Sequence, residues 1–159
     1  MTSNVIKPKL YLDIDGVLLP FGSSTFDMKE LNGLESYAPE VVRRLGRTCL
    51  EIVWCTTWEE ASLKILVNKI GDEPLRKARQ LSLGNGKGLK GKLEAVTKDQ
   101  QTNPGPFVWV DDYLTDQERK IIDSTFGNTA HLLLNPNKEH GINEEELCKI
   151  EEFAKSNAV

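Results

Sequence analysis

A doubly wound α/β domain built on a parallel sheet is the fold this sequence predicts, on three observations. Short apolar runs alternate along the chain with amphipathic segments of helical period, the pattern of strands covered by helices on both faces. Three of the runs end directly in polar clusters: Asp13 and Asp15, Thr56 and Thr57, Asp111 and Asp112. Strands of a parallel sheet end on one edge, where such folds build their sites. Finally, 159 residues with 39% hydrophobic and 28% charged content suit one domain, residues 1–159, with a core that needs no disulfide or metal staple.

Leu10-Tyr11-Leu12 forms the first strand and runs into Asp13-Ile14-Asp15-Gly16, where Gly16 permits a sharp turn before Val17-Leu18-Leu19. Residues 20–37 scatter Pro20, Gly22, Ser23, Ser24, Asn32 and Gly33 among apolar residues, which predicts a small flap or loop insertion, too short for a second domain. Pro39 suits a first helical turn, Val41, Val42 and Leu45 supply its apolar face, and Gly46 closes it. Leu50 to Cys55 is the second strand. Glu59 and Glu60 open the next helix, Ala61, Leu63, Leu66, Val67 and Ile70 are its apolar positions, and Gly71 ends it.

Residues 79–83 read as a short strand, and residues 84–88, Gly-Asn-Gly-Lys-Gly, as a flexible loop before a short helix around Lys92 to Val96. Asn103-Pro104-Gly105-Pro106 halts the chain ahead of the strand Phe107-Val108-Trp109-Val110. A capping box, Thr115 to Glu118, starts a helix with Ile121, Ile122 and Phe126 on its core face. Ala130 to Leu134 is a further strand, and Asn143 with Glu146 caps a last helix carrying Leu147, Ile150 and Phe153.

The net charge of −4 gives no global attraction to nucleic acid or to an anionic membrane. Cys49, Cys55 and Cys148 are odd in number and lack a Cys-x-x-Cys spacing, so a reducing, cytoplasmic setting is expected rather than a disulfide framework or a zinc site. Met1 to Lys9 has no apolar signal core, and no run approaches membrane-spanning length. Trp54 and Trp109 lie within strands and are expected in the core; Trp58, just past Thr57, reads first as packing under the helix that follows it, with lining the pocket or stacking on a base as the alternative. His131 and His140 lack companions at ligand spacing, and the glutamates between Glu139 and Glu152 read as a solvated helix face.

On the shared edge, the set becomes four carboxylates, a threonine hydroxyl and a lysine. Four acids packed together repel by several kcal/mol unless a cation sits among them, and Mg²⁺, which prefers carboxylate oxygens, is the candidate. Two acids at i and i+2 around a turn can divide labour, one attacking phosphorus or binding metal and the other handling a proton.

The order Asp-x-Asp, strand-end Thr, Lys, Asp-Asp resembles the four motifs of the haloacid dehalogenase (HAD) superfamily, from Leu10 to about Leu134. More narrowly, Leu-Asp-Ile-Asp-Gly-Val-Leu, Trp-Cys-Thr-Thr-Trp, Lys-Leu-Glu-Ala-Val, Trp-Val-Asp-Asp and Gly141-Ile142-Asn143 resemble the HAD domains associated with "Swiss army knife" RNA repair proteins. Val17 departs from the Thr that many superfamily members carry. The resemblance implies a HAD-like Rossmannoid with no cap or a minimal one. It further implies Asp13 as nucleophile, Asp15 as acid and base, and Thr56 and Lys92 as holders of the phosphoryl oxygens, with backbone N–H groups near Ile14 and Thr57. Gly16, Thr57, Lys87 and Lys90 join the phosphate contacts. Mg²⁺ would be held by Asp13, the carbonyl of Asp15 and the pair Asp111 and Asp112, with Asp112 favoured as ligand and Asp111 as the group that orients Lys92. Lys87 and Lys90 are the alternatives to Lys92.

The expected function is therefore Mg²⁺-dependent hydrolysis of phosphomonoesters through an aspartyl-phosphate, on a nucleic-acid end or a nucleotide. A non-catalytic module of the same fold and a phosphotransferase are the rivals, and the repulsive acid cluster counts against the first. A receiver domain uses similar residues in a different order. Six basic residues and no acid between Pro74 and Leu93 (Arg76, Lys77, Arg79, Lys87, Lys90, Lys92) read equally as a phosphate-backbone contact or as a solvated loop.

Overall fold

The computed structural model describes residues 6–19, 39–83 and 88–158. The expected flap at 20–37 and Lys87 lie outside them. Five parallel strands form one sheet: β1 (Lys9–Leu12), β2 (Glu51–Trp54), β3 (Arg79–Gln80), β4 (Phe107–Val110) and β5 (His131–Leu134), in the order β3-β2-β1-β4-β5. Among the described residues, six helices are interspersed: α1 (Pro39–Gly46), α2 (Glu60–Ile70), α3 (Glu73–Arg76), α4 (Gly88–Thr102), α5 (Asp116–Thr125) and α6 (Glu144–Ser156). The α/β doubly wound architecture is the predicted one.

Alternation along the strands divides the core in two. Leu10, Leu12, Ile52, Trp54, Val108 and Val110 face a cluster completed by Val42 and Leu45 of α1, Leu63 and Leu66 of α2, Leu75 of α3, and Leu147 and Ile150 of α6. Tyr11, Val53, Phe107, Trp109 and Leu133 face the other, with Val96 of α4 and Ile122 of α5. Both strand tryptophans are buried.

Helix ends follow the capping chemistry in the sequence. Thr115 N–H donates to Glu118 Oε2 at 2.9 Å. Asn143 N–H donates to Glu146 Oε1 at 3.0 Å, and Glu146 N–H to Asn143 Oδ1 at 2.8 Å. Gly71 ends α2 with φ +75°, a conformation that costs a residue with a Cβ.

Three expectations are corrected. Residues 79–83 contribute only Arg79–Gln80 as strand, and the turn α3 precedes them, opened by Asp72 with Pro74 at its second position. The helix expected around Lys92–Val96 runs from Gly88 to Thr102. Its buried face is Gly91, Lys92, Ala95, Val96, Asp99 and Gln100, at helical spacing but largely polar, so apolar periodicity underestimates its length. The acidic face of α6 is not wholly solvated: Arg44 of α1 donates to Glu144 at 2.7 Å and also pairs with Glu151, tying α1 to α6.

Among the described residues, no helix is long and apolar enough to cross a membrane. Cys49, Cys55 and Cys148 are all free thiols.

Candidate active site

Strand register builds the site. Leu12 is level with Trp54 of β2 on one side and Val110 of β4 on the other. Asp13, Cys55 and Asp111 therefore leave the sheet side by side, with Thr56 and Asp112 one residue beyond. The hydrogen bonds Asp13 N–H to Val110 O (3.2 Å) and Cys55 N–H to Leu12 O (2.9 Å) keep them in step. From β1 the chain crosses to β2, and β4 enters on the other flank, so this edge is the switch point at which an open α/β sheet leaves a crevice.

Helix α4 delivers the cation. Lys92 Nζ lies 2.8 Å from Asp111 Oδ2 and 3.0 Å from Asp13 Oδ2, and all three residues are buried. Seven residues further along α4, on the same face, Asp99 accepts from Tyr11 Oη at 2.6 Å and from both Arg79 nitrogens at 2.7 and 2.9 Å. That anchor fixes the rotation of the helix about its axis and with it the aim of Lys92. Asp111 Oδ1 also accepts the Tyr113 N–H at 2.8 Å, so both Asp111 oxygens are engaged.

The carboxylates of Asp13, Asp111 and Asp112 have oxygens within 4.8 Å of one another. Burial, then the nearby charge of Asp111, pushes the Asp13 carboxyl up to about 7 against the opposing pull of Lys92 and the Ile14 N–H. Burial and Asp111 also raise Asp112 above the ordinary carboxylate range. Desolvation disfavours the Lys92 ammonium, but Asp13 and Asp111 outweigh it and its pKa is raised. One ammonium is thus shared by two acids, and the third acid has none.

Asp15 stands apart. The expected group of four carboxylates resolves into three plus one, because Asp15 Oδ2 accepts the indole N–H of Trp58 at 3.0 Å. Trp58 packs partly against the core, as expected, but its polar edge belongs to the site. Its own N–H is held by Thr56 Oγ1 at 3.2 Å, and its carbonyl accepts from Gln80 Nε2 at 2.8 Å. Thr56 is buried, and its hydroxyl, already an acceptor, keeps a proton to donate; Thr57 is exposed.

The loop that follows β1 is tight. The Leu18 and Leu19 N–H groups both reach Ile14 O, and Gly16 N–H reaches Leu19 O at 2.9 Å. The Ile142 N–H donates to Val17 O at 3.0 Å, which joins the Gly141-Ile142-Asn143 segment to this loop.

The family model of the HAD domain in Swiss Army Knife RNA repair proteins matches residues 9–147. The chain belongs to that family. No curated protein and no solved structure matches it.

The residues of this HAD domain fit a divalent cation. Both oxygens of Asp112 are buried without a hydrogen-bond partner. Three carboxylates share one ammonium, so fully ionising them needs further positive charge, and the donors are all hard oxygens, the ligands Mg²⁺ takes.

Among the described residues of the basic segment in this HAD domain, three of the cations are paired and two remain exposed. Lys92 is inside the site, Arg79 is committed to Asp99 and Glu51, and Lys77 pairs with Glu73. The neutralising acids come from outside the segment 74–93, where a local count cannot see them. Arg76 and Lys90 remain exposed, and Lys90 is separate from the buried Lys92 despite their nearness in sequence. His131 Nδ1 donates to Thr129 O, Nε2 lies 2.7 Å from Asp123 Oδ1, and the ring stacks on Phe107, a structural setting.

Two participants have roles the sequence did not assign. Trp58 closes the motif Trp-Cys-Thr-Thr-Trp, which did not show its bond to Asp15 but gave the hint of an aromatic just past the second cluster. Asp99 gave a subtler one, an acid seven residues after the lysine and hence on its face of the helix.

Proposed function

We propose that this HAD domain is a Mg²⁺-dependent phosphatase that hydrolyses phosphomonoesters through an aspartyl-phosphate on Asp13, with nucleic-acid ends or nucleotides as substrates. The observation that carries the reading is the contrast between two carboxyls two residues apart. Asp13 lies against an ammonium, and Asp15 lies against a neutral indole N–H.

Asp13 attacks phosphorus with a carboxylate oxygen, and the P–O bond to the leaving group breaks as the P–O bond to Asp13 forms. Lys92 favours the ionised form of Asp13 and supplies charge to the phosphoryl oxygens, and the hydroxyl of Thr56 supplies a hydrogen bond. Asp15 gives its proton to the departing alkoxide. Because the Trp58 indole donates to Asp15 Oδ2, the proton that Asp15 transfers is assigned to Oδ1, the oxygen the indole does not occupy. Asp15, now ionised, takes a proton from the water that attacks the acyl phosphate, which releases inorganic phosphate and regenerates Asp13.

Asp13, Asp112 and the carbonyl of Asp15 would hold Mg²⁺, with Asp111 orienting Lys92. When bound, Mg²⁺ supplies positive charge that offsets the clustered carboxylates and the phosphate dianion. The substrate class rests on the family description, since RNA repair involves chemistry on phosphorylated ends.

The test is phosphate release from an aryl phosphate and from oligonucleotides bearing 3′- or 5′-phosphate, with Mg²⁺ and with chelator. Release that needs Mg²⁺ and disappears in Asp13→Asn is expected. Folded protein that releases none from any substrate, or an active Asp13→Asn variant, would overturn the reading.

A further inference from the structure

Beside the acid cluster lies an open cavity of about 660 Å³, bordered by α2, α3 and the segment 78–83. Asp13, Asp15 and Asp112 do not line it; Thr56, Thr57 and Trp58 do. Trp58 is therefore a shared wall, facing the cavity and donating its indole N–H to Asp15.

Chemistry gives that wall a meaning, on the phosphatase reading above. The acid of a phosphomonoesterase must touch the oxygen that leaves, so the organic part of the substrate has to extend from the Asp15 side of the phosphorus. On that side, next to Trp58, is the cavity. Its floor is apolar, with Leu63 and Val67 of α2 and Leu75 of α3, and its edge is polar, with Gln80 and Ser82. Gln80 uses its amide N–H on the Trp58 carbonyl, and its amide oxygen remains as an acceptor. Exposed Lys64 and Arg76 stand at the rim, together with Glu59 and Glu60.

We infer that this cavity is the leaving-group subsite and that it takes a nucleoside. A nucleobase has apolar faces and hydrogen-bonding edges, which match an apolar floor with a polar edge. The volume lies within the range of ordinary small-molecule sites, about 300–1,000 Å³. A phosphorylated serine side chain or glycerol phosphate would leave most of it unfilled.

The test compares a nucleoside monophosphate with glycerol 2-phosphate. Both leave as alkoxides of similar basicity, so a difference in kcat/KM reports binding of the organic group rather than ease of bond breaking. Wild-type protein is expected to favour the nucleotide by about tenfold or more, a difference of the size one well-filled pocket supplies. Lys64→Trp places bulk over the cavity from an exposed position of α2 and should lower the nucleotide value far more than the glycerol phosphate value. Gln80→Ala should act in the same direction.

Equal kcat/KM for the two substrates, or equal losses in Lys64→Trp, would overturn the subsite while leaving the phosphatase reading intact. If neither of these two substrates is hydrolysed, release from the aryl phosphate and the oligonucleotides decides the phosphatase reading, and calorimetric binding of the nucleoside monophosphate decides the subsite. Binding that Lys64→Trp weakens about tenfold or more supports it, and no measurable binding overturns it.

Discussion

Gly16 and Asp112 stand so close that a Cβ on Gly16 would lie 2.5 Å from Asp112 Oδ2. Gly16 also has φ +73°, where an L side chain is strained. The turn after β1 thus works as a seat for the acid that follows β4. Gly16→Ala is expected to fold but to lose about 1–2 kcal/mol from the backbone conformation. Its Mg²⁺ affinity should fall as well, because Asp112 is displaced. Thermal melts with and without Mg²⁺ check both, and an unchanged Mg²⁺-induced shift in melting temperature would count against Asp112 as a ligand.

Asp111 and Asp112 are adjacent yet should respond in opposite ways. Asp112 has two buried oxygens without partners, so Asp112→Asn removes repulsion and should stabilise the metal-free protein while abolishing its Mg²⁺ response. Asp111 is bonded to Lys92 and to the Tyr113 N–H, so Asp111→Asn should destabilise by about 1–3 kcal/mol. Chemical denaturation in chelator measures both. The reverse order would exchange the two roles.

Lys92→Met should be the most damaging single change at the site. It leaves Asp13 and Asp111 as neighbouring buried carboxylates without a counter-charge, and breaking such a pair from one side costs about 3–5 kcal/mol. Mg²⁺ should recover part of that loss. If denaturation of Lys92→Met in chelator matched wild type, the buried pair would not be formed in solution.

The indole N–H of Trp58 can be removed with the ring kept. Trp58→Phe should slow an alkyl phosphate by about tenfold or more, the scale of losing a hydrogen-bonded partner of a reacting group. An aryl phosphate, whose leaving group needs little protonation, should be affected less. Equal effects on both would show that Trp58 acts through packing rather than through Asp15.

Stability of the metal-free protein should fall as pH rises. Asp13 has an ordinary value of 3.8 and a folded-state value of about 7. The native state therefore holds this proton more tightly than the unfolded chain does. Its contribution is fully present below 3.8 and is lost as pH rises through about 7. Asp112, also raised, adds in the same sense; Asp99, held below its ordinary value with Arg79 and Tyr11 as partners despite burial, opposes it only toward acid pH. In chelator, the melting temperature should drop between about pH 5 and about pH 8, and Asp13→Asn should flatten that drop. A wild-type profile that rises over this range would contradict it.

The fold class was legible because it depends on features a chain displays locally. Runs such as Phe107–Val110 can only be satisfied with both faces covered, and Thr115 and Asn143 announce their helices by capping chemistry four residues long. The gathering of Asp13, Thr56, Asp111 and Asp112 followed from the same logic, since parallel strands end on one edge, while Lys92 comes from helix α4.

What only the tertiary structure decided was how these groups are paired. In sequence Asp15 looks like one more member of the acid cluster, and its separation from it depends on an indole 43 residues away. The segment 74–93 looks basic because its counter-charges, Glu73, Glu51 and Asp99, lie outside it. The full length of α4 was hidden because its inward face is polar, and Asp99 and Gln100 can be buried there only because Tyr11 and Arg79 meet them across the fold. A hydrogen bond or ion pair depends on both partners at once, so a chain read one residue at a time shows the groups that need partners, while the folded packing decides which partner each receives.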